Sequence, residues 1–326
     1  MDFLTDPFFW EVVVAGLLAG VMYSLVALGF VLIFKASGIF NFAQGILALF
    51  AALTLVGFQT GQIPFAHLIN AIFGTDVHYF TEDKTGLPTV IAIVLTIGVM
   101  VALAWLVERL VLRYLVNQPP IILFMATIGL AFVLEGFGDL MWGANVKRLD
   151  VGLPEGPSDT IIDLTDMFVD KLELTAAFVA VSLVIGLSIF SQYTKAGRAL
   201  RAVADDHQAA LSVGISLRSI WVMVWSVAGV VALVAGIMWG AKSGVQFSLS
   251  LIALKALPVL ILGGFTSIPG AIIGGLIIGV GEKLFEIYLG PMIGGATENW
   301  FAYVLALFFL LFRPQGLFGE KIIERV

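Results

Sequence analysis

The sequence predicts an all-α, polytopic membrane protein with about eight or nine transmembrane helices. Hydrophobic residues occupy 60% of its 326 positions and charged residues 12%, whereas a globular domain carries about 25% charged residues. The mean hydropathy is +1.04. Most apolar runs approach the length of about 20 residues that a helix needs to cross a hydrocarbon core of roughly 30 Å. Lipid offers the backbone no hydrogen-bond partners, so these runs must be helical.

Nine apolar segments follow one another along the chain. The predicted crossings are residues 8–34, 39–58, 88–107, 121–141, 175–193, 220–240, 247–262, 270–290 and 299–312. The first is long enough to tilt or break, the second opens with Asn41 and Gln44, and the seventh is short and contains Lys255 and Pro258. We therefore expect broken or re-entrant helices among these segments.

The distribution of lysine and arginine indicates an orientation with the N-terminus outside and the C-terminus in the cytoplasm. Ten of the seventeen basic residues then fall in inner loops: Lys35, Arg109, Arg113, Lys195, Arg198, Arg201, Arg218, Arg313, Lys321 and Arg325. The loop at 59–87 and the acidic loop at 142–174 become extracytoplasmic. Each either connects spans as a solvated segment or contacts an extracytoplasmic partner.

Residues 194–218 form a charged amphipathic segment between two apolar runs, on the predicted cytoplasmic side. A helix over 197–213 would end at Gly214, which suits a C-cap, and would place Arg201 and Asp205 four residues apart on its polar face. Its apolar stripe would comprise Leu200, Val203, Ala204, His207, Leu211 and Ile215. Such a helix either docks on a partner protein or lies among lipid headgroups.

Composition and motifs argue against an enzyme. The chain has no cysteine, its three histidines lie far apart, and it contains neither an HExxH nor a GxSxG motif. We therefore predict no catalytic residue and no metal site. No GxxxxGK[ST] phosphate-binding loop occurs either, so any ATP must be bound by another chain. We expect no directly bound cofactor and no nucleic-acid partner.

Three sequence blocks carry a family resemblance. GLLAGVMYSLVALGFVLIFKASGIFNFAQGILAL at 16–49, GRALRAVADDHQAALSVGI at 197–215 and KALPVLILGGFTSIPGAIIGGLIIGVGE at 255–282 occur in this order. Together they resemble the permease subunits of branched-chain amino acid ABC importers, of the LivH type. The resemblance extends over about 16–318 and implies one transmembrane permease domain over 1–326.

The resemblance implies a function and a set of partners. The segment 194–218 would hold the coupling helix, over 197–214, that docks on an ATPase subunit. The matching residues are Gly197, Arg198, Arg201, Ala204, Asp205 and Gly214, to which we add Leu211 of the apolar stripe. The chain would form half of a translocation pathway in a bacterial inner membrane, with a second homologous permease, two ABC ATPases and a soluble substrate-binding protein.

Two departures from the family pattern bear on the cargo. The sequence reads FNFAQG at 40–45, with Gln44 where many relatives have histidine, and the segment around 60–87 is longer than usual. Branched-chain or related neutral amino acids are the expected cargo, and urea or short amides are the alternative within the family. An autonomous channel or secondary carrier for small polar solutes, and a structural membrane scaffold, are the alternatives outside it.

Polar and glycine breaks within the spans suggest a translocation pathway. The candidates are Asn41, Gln44, Gly45, Gly264 and Ser267. Amides at an unwound turn suit a neutral or zwitterionic cargo, although they also serve as interhelical hydrogen bonds. The GxxxG spacings after Pro269 indicate close helix packing or a hinge. Four ionisable residues also fall within or at the ends of spans: Glu135, Lys255, Glu282 and Lys283.

Overall fold

The structure is a computed structural model that describes residues 6–79, 86–115, 118–205 and 207–319. These residues form fourteen α-helices and no sheet, only three isolated β-bridges. The helices are α1 Pro7–Ser37, α2 Gln44–Thr60, α3 Ala66–Phe73, α4 Thr89–Leu110, α5 Pro120–Trp142, α6 Asp159–Thr165, α7 Lys171–Tyr193, α8 Lys195–Asp205, α9 His207–Ser212, α10 Leu217–Ser243, α11 Ile252–Gly263, α12 Ile268–Tyr288, α13 Gly290–Ile293 and α14 Phe301–Phe312.

Each of the nine predicted crossings corresponds to apolar helix. Within the described residues six helices are long and apolar enough to cross a membrane, namely α1, α4, α5, α7, α10 and α12. Three shorter apolar segments complete the set: Gln44–Thr60, Phe247–Gly263 and Phe301–Phe312. The chain is therefore a multi-pass helical membrane protein, as the apolar runs predicted.

Of the three segments for which we expected a possible tilt or break, the first forms one unbroken helix, α1, whereas the second and the seventh are irregular. Helix α2 begins at Gln44 rather than at residue 39, because Gly38 adopts a left-handed φ of 66° and residues 38–43 turn without forming a helix. The seventh segment starts as a 3₁₀ helix, Phe247–Leu251, and continues into α11 with Pro258 inside it. Proline has no N–H to donate to the preceding turn, which limits the regular length of this helix.

The described chain divides into two compact units, each assembled from separate segments. The first comprises Met1–Lys35, Gly152–Thr194 and Ile252–Val326, and the second comprises Ala36–Val151 and Lys195–Leu251. The termini of the first unit extend beyond the described residues. The prediction of one permease domain over 1–326 stays a prediction.

Helix α2 forms the core of the second unit. Its residues from Gln44 to Gly57 are all buried, and it contacts α4, α5 and α10. Small residues allow the close approaches, since a methyl group at Gly236 of α10 would overlap the carbonyl oxygen of Ala48. One at Gly57 would overlap the ring of Trp142. Burial on all sides explains why α2 has no polar face.

Helices α4 and α5 of the second unit each carry an exposed apolar face. The exposed side chains include Val90, Val94, Val101, Phe132 and Val133. In water such a surface would be an aggregation site, whereas lipid tails or other membrane helices cover it without cost. The exposure of these residues agrees with a membrane-embedded bundle.

Glycine residues allow α12 of the first unit to pack closely against α1 on one side and against α11 on the other. A methyl group at Gly16 of α1 would lie 2.7 Å from Val280 Cα, and one at Gly279 would lie 2.6 Å from Gly20 Cα. On the other side, a methyl group at Gly274 would lie 2.5 Å from the Val259 carbonyl oxygen of α11. The predicted GxxxG spacings therefore serve close helix packing.

Candidate functional site

Helix α8 packs the predicted coupling segment within the second unit. Leu200 and Val203 are buried, and α8 contacts α10. Arg198 and Arg201 are exposed on the other side of the helix, while Gly197 is buried. The apolar side chains thus pack within the protein, and the arginines remain accessible from outside the unit.

The structure describes helix on both sides of residue 206, in α8 and in α9, and residue 206 itself lies outside the described residues. The single helix over 197–213 therefore stays a prediction. In α9 Ala210 is buried, whereas Leu211, a member of the predicted stripe, is 52% exposed. Helical spacing indicates which side chains share a face, but not how far neighbouring helices extend to cover that face.

The end of the coupling segment is fixed by backbone turns. Gly214 has a φ of 83°, the left-handed conformation that suits a glycine after a helix, and Ile215 N–H donates to the Ala210 carbonyl at 3.0 Å. The Ser216 hydroxyl then caps α10 by accepting from the Ser219 N–H at 3.5 Å. Ala204 is half-buried. The side chains of Asp205 and His207 lie outside the described residues.

An ion pair that the sequence did not reveal borders this segment. Glu108 near the end of α4 is buried, with 4% of its side chain exposed, and its Oε1 forms an ion pair with Arg218, whose Nε lies 3.2 Å away. Arg218 is the second residue of α10 and the last residue of the charged segment 194–218. In the sequence the two residues are 110 positions apart, so their spacing gave no signal of contact.

The predicted polar turn lies at the start of α2 and is completely buried. Asn41 and Gln44 have 0% exposure. Asn41 Oδ1 accepts from the Ala43 N–H at 3.1 Å, and Asn41 Nδ2 donates to Gln44 Oε1 at 3.4 Å. Gln44 Nε2 reaches the Ala228 carbonyl of α10 at 3.5 Å. Gly45 is buried beside them. In this conformation the amides bond to protein groups of their own unit.

Thr127 of α5 is a further residue of this turn. Its Oγ1 accepts from the Phe42 N–H at 3.1 Å and lies 3.1 Å from the Phe40 carbonyl. These bonds provide partners for the Phe42 N–H and the Phe40 carbonyl, which the non-helical turn leaves without the hydrogen bonds of a helix. Nothing in the sequence singled out Thr127, because threonine is common in membrane helices and the contact joins distant segments.

The second predicted break, at Gly264 and Ser267, serves two structural purposes. Ser267 caps α12, since its Oγ accepts from the Gly270 N–H at 3.0 Å. Gly264 has a φ of 100°, and a methyl group there would lie 2.8 Å from the Gly319 nitrogen. The chain that follows α14 is held beside Gly264 because the Leu317 N–H donates to the Leu262 carbonyl at 2.8 Å.

Four ionisable residues of the first unit form one network: Lys255, Glu282, Lys283 and Glu298. Glu282 is 1% exposed, and its Oε1 accepts from the Tyr23 hydroxyl at 2.9 Å and from Lys255 Nζ at 3.4 Å. Lys255 Nζ also lies 2.5 Å from Glu298 Oε1, and Lys283 Nζ lies 3.6 Å from Glu298 Oε2. The sequence identified Glu282, Lys255 and Lys283 but not their pairing.

Glu298 lies in the 3₁₀ turn before α14, outside the apolar helices. Burial raises the pKa of this carboxyl, but the hydrogen bond from Lys255 and the charges of Lys255 and Lys283 outweigh burial and hold the pKa below its ordinary value. Glu298 is therefore ionised at neutral pH and shares Lys255 with Glu282. Glu135 of α5 is half-buried and takes no part in this network.

The described residues contain no group of three or more His, Asp or Glu side chains placed to hold a metal ion. What the arrangement offers instead is a buried amide turn, a partly buried ion network and the exposed arginines of α8.

Comparison with known proteins identifies the family. The model of the "branched-chain amino acid transport system / permease component" family matches residues 12–313. LivH of Escherichia coli K12, a "high-affinity branched-chain amino acid transport system permease protein", is 28% identical, with 98% of each chain covered. BraD of Pseudomonas aeruginosa, with the same description, is 27% identical, with 96% of each chain covered. The PsaBC structure from Streptococcus pneumoniae aligns with 91% of this chain and 89% of its own at 12% identity and a TM-score of 0.36.

The chain belongs to the branched-chain amino acid transport permease family, because the family model covers nearly its whole length. It is accordingly a transport subunit and not an enzyme. The resemblance inferred from the three sequence blocks is confirmed.

Proposed function

We propose that this chain is the membrane permease subunit of an ATP-driven importer for branched-chain or related neutral amino acids. The match to the permease family over residues 12–313 carries the proposal. The importer would lie in a bacterial inner membrane, with the N-terminus outside and the C-terminus in the cytoplasm. The excess of lysine and arginine in the loops that this orientation places inside supports it.

The packing of α8 supports docking of the coupling segment on an ATPase subunit. A helix lying among lipid headgroups inserts its apolar face into the acyl boundary. Here Leu200 and Val203 are buried within the protein, so this face is not available to lipid. The surface left accessible combines Arg198 and Arg201 with the exposed side chains of Leu211 and Val213. A mixed surface of arginines and apolar side chains is typical of protein interfaces.

The ion pair between Glu108 and Arg218 supports the same proposal. A docking element transmits force only if it is anchored to the spans that must move. Arg218 joins the end of the coupling segment to the buried end of α4. Pushing on α8 or α9 would therefore displace both α4 and α10.

The partners in this proposal are a second homologous permease, two ABC ATPases and a soluble substrate-binding protein. ATP would be bound by the ATPases, since this sequence contains no phosphate-binding loop. The relatives are named as permease proteins of a transport system, which implies further components. The cargo would pass near Asn41, Gln44 and Gly45, whose buried turn would have to open during transport.

Mass spectrometry of the proteins that co-purify with the chain in mild detergent tests the docking proposal. Wild type is compared with the double variant Arg201→Glu plus Leu211→Asp. We expect two cassette ATPases, a second permease and the binding protein with wild type, and loss of the ATPases alone with the double variant. Both changes are at exposed positions, so the fold should persist.

Leu164→Asp provides the matched control, because Leu164 is 83% exposed in a different loop. This variant should retain the ATPases. A lone homo-oligomer in every sample would contradict the importer. Uptake into proteoliposomes then identifies the cargo: ATP-dependent uptake of labelled leucine is expected, whereas uptake of urea alone would contradict the proposed substrate class.

A further inference from the structure

A cavity of about 280 Å³ lies in the first unit, where α1, α7 and α12 end or begin. Its polar lining residues are Lys35, Ser188, Ser191, Gln192, Thr266 and Ser267. The rings of Phe34 and Phe265, with centroids 5.3 Å apart, join the end of α1 to the loop before α12. The N–H of Phe318, another lining residue, donates to the Gly263 carbonyl at 3.2 Å.

The lining is rich in donors and carries one positive charge. Lys35 is the one ionisable residue among the described residues that line the cavity, and no described carboxylate pairs with it. Within the described chain, the hydroxyls of Ser188, Ser191 and Thr266 form no hydrogen bond. A cavity whose described lining has one cation, several free hydroxyl donors and no acid favours an anion whose oxygens accept several bonds.

The position of the cavity indicates the source of that anion. Helices α1, α7 and α12 are each long and apolar enough to cross the membrane, and their ends mark the boundary between hydrocarbon and headgroups. The apolar side chains of Ile185 and Ile189 on α7 are 54% and 52% exposed, and they flank Ser188. Acyl chains can therefore cover α7 up to the turn at which the polar cavity begins.

We propose that this cavity binds the phosphate of an anionic phospholipid headgroup. Lys35 supplies the charge, the serine and threonine hydroxyls bond to the phosphate oxygens, and the Gln192 amide faces the headgroup. The absence of a carboxylate from the described lining means that nothing there would pair with the ammonium of a zwitterionic lipid. Phosphatidylglycerol, whose headgroup adds hydroxyls instead of an ammonium, fits better than phosphatidylcholine. This proposal does not depend on the cargo or on the coupling segment.

Native mass spectrometry of the purified full-length protein tests this proposal. The protein is delipidated, titrated with phosphatidylglycerol or phosphatidylcholine, and the bound lipids are counted for wild type, Lys35→Gln and Ser188→Ala. We expect one tightly bound phosphatidylglycerol in wild type and about fivefold weaker binding in Lys35→Gln, the effect of one lysine near an anionic headgroup. Ser188→Ala should weaken binding less.

Lys242→Gln is the matched control, because Lys242 lies at the end of α10 over the ring of Trp239 and is not among the residues that line the cavity. If Lys242→Gln weakens binding as much as Lys35→Gln, the lysines act only as general interfacial charges and the proposal is wrong. Equal binding of both lipids also overturns it. Competition by inorganic phosphate without any effect of phosphatidylglycerol would identify a soluble anion as the ligand and would reject the lipid.

Discussion

Arg218 Nε lies 3.2 Å from Glu108 Oε1, and this pair connects the first turn of α10 to the last turns of α4. Glu108 is nearly inaccessible, whereas 59% of the Arg218 side chain is exposed. The carboxylate therefore depends on the arginine, while water can solvate the arginine without the carboxylate. Removal of the arginine and removal of the carboxylate should therefore lower the stability by unequal amounts, and a comparison of the two variants can measure this difference.

We predict that Arg218→Gln destabilises the protein more than Glu108→Gln does. The first change leaves a buried carboxylate without its counter-charge, at a cost of about 1 to 3 kcal/mol, whereas the second leaves a neutral amide beside a solvated arginine. The double variant should lose less than the sum of the two. Thermal unfolding in detergent measures all three, with Arg113→Gln as the control for loss of a surface charge. Additive effects would show that the pair contributes nothing.

Lys255 holds two carboxylates, so its removal should be the most damaging single change in the buried network. Lys255→Met leaves Glu282 buried without a cation, and we expect a loss of about 3 to 5 kcal/mol. The double variant Lys255→Met plus Glu282→Leu removes both charges and should recover much of this loss. Chemical denaturation in mixed micelles compares them. If the double variant is as unstable as Lys255→Met, the charge on Glu282 is not the cause.

Gly279→Ala should disrupt the contact between α12 and α1. The added methyl group would overlap the Gly16 carbonyl and lie 2.6 Å from Gly20 Cα, and backbone atoms cannot rotate away. We expect a loss of about 3 kcal/mol or failure to fold. Gly186→Ala is the control, since nothing lies within 4 Å of a methyl group at that position of α7. Retention of yield and melting temperature by Gly279→Ala would contradict the close packing.

Gln44→Leu tests whether the polar turn belongs to the transport pathway. The Gln44 amide makes only two long hydrogen bonds, of 3.4 and 3.5 Å, so their loss should cost about 1 kcal/mol of stability. A pathway role predicts a fall in uptake of about tenfold or more. The matched control is Thr54→Val, which removes a hydroxyl bonded to the Phe50 carbonyl in the same helix. Similar uptake by both variants would assign Gln44 to packing.

Lys147 should make stability depend on pH in the alkaline range. Its Nζ donates to Gln62 Oε1 at 3.2 Å, and burial lowers its pKa from the ordinary value of 10.5. The unfolded chain therefore binds this proton more tightly than the folded chain, and stability should rise with pH between the lowered pKa and 10.5. Below that window the buried charge lowers the stability by its full amount. Lys147→Met should abolish this rise; an unchanged pH profile of thermal unfolding would assign it to another group.

Much of the fold could be predicted because apolar length and polar breaks are properties of local sequence. The nine apolar helical segments follow from the apolar runs, and the turn before α2 follows from Gly38, Asn41 and Gln44. The GxxxG spacings predicted close packing, but not that Gly274 contacts α11 while Gly279 contacts α1. The choice of partner depends on how distant segments assemble.

The candidate site was predicted less completely, and the coupling segment shows why. Leu211 belongs to the predicted apolar stripe because it continues the helical spacing from Leu200, but it is 52% exposed, whereas the neighbouring Ala210 is buried. Ser267 was predicted to line a pathway; it caps α12 and lines the cavity that contains Lys35. Periodicity indicates which side chains share a helix face, but the packing of distant segments decides which of them are covered.

By itself the sequence determined the class, the positions of the apolar helical segments, two of the broken segments and the family, because each depends on residues that are near one another within a run of the chain. Only the tertiary structure decided that Glu108 pairs with Arg218, that Lys255 joins Glu282 to Glu298, and that Thr127 supports the Asn41 turn. In an apolar environment a polar group must find a partner wherever the packing places one. The assembly of the helices decides which group that partner is, and the sequence separation between the two residues does not predict it.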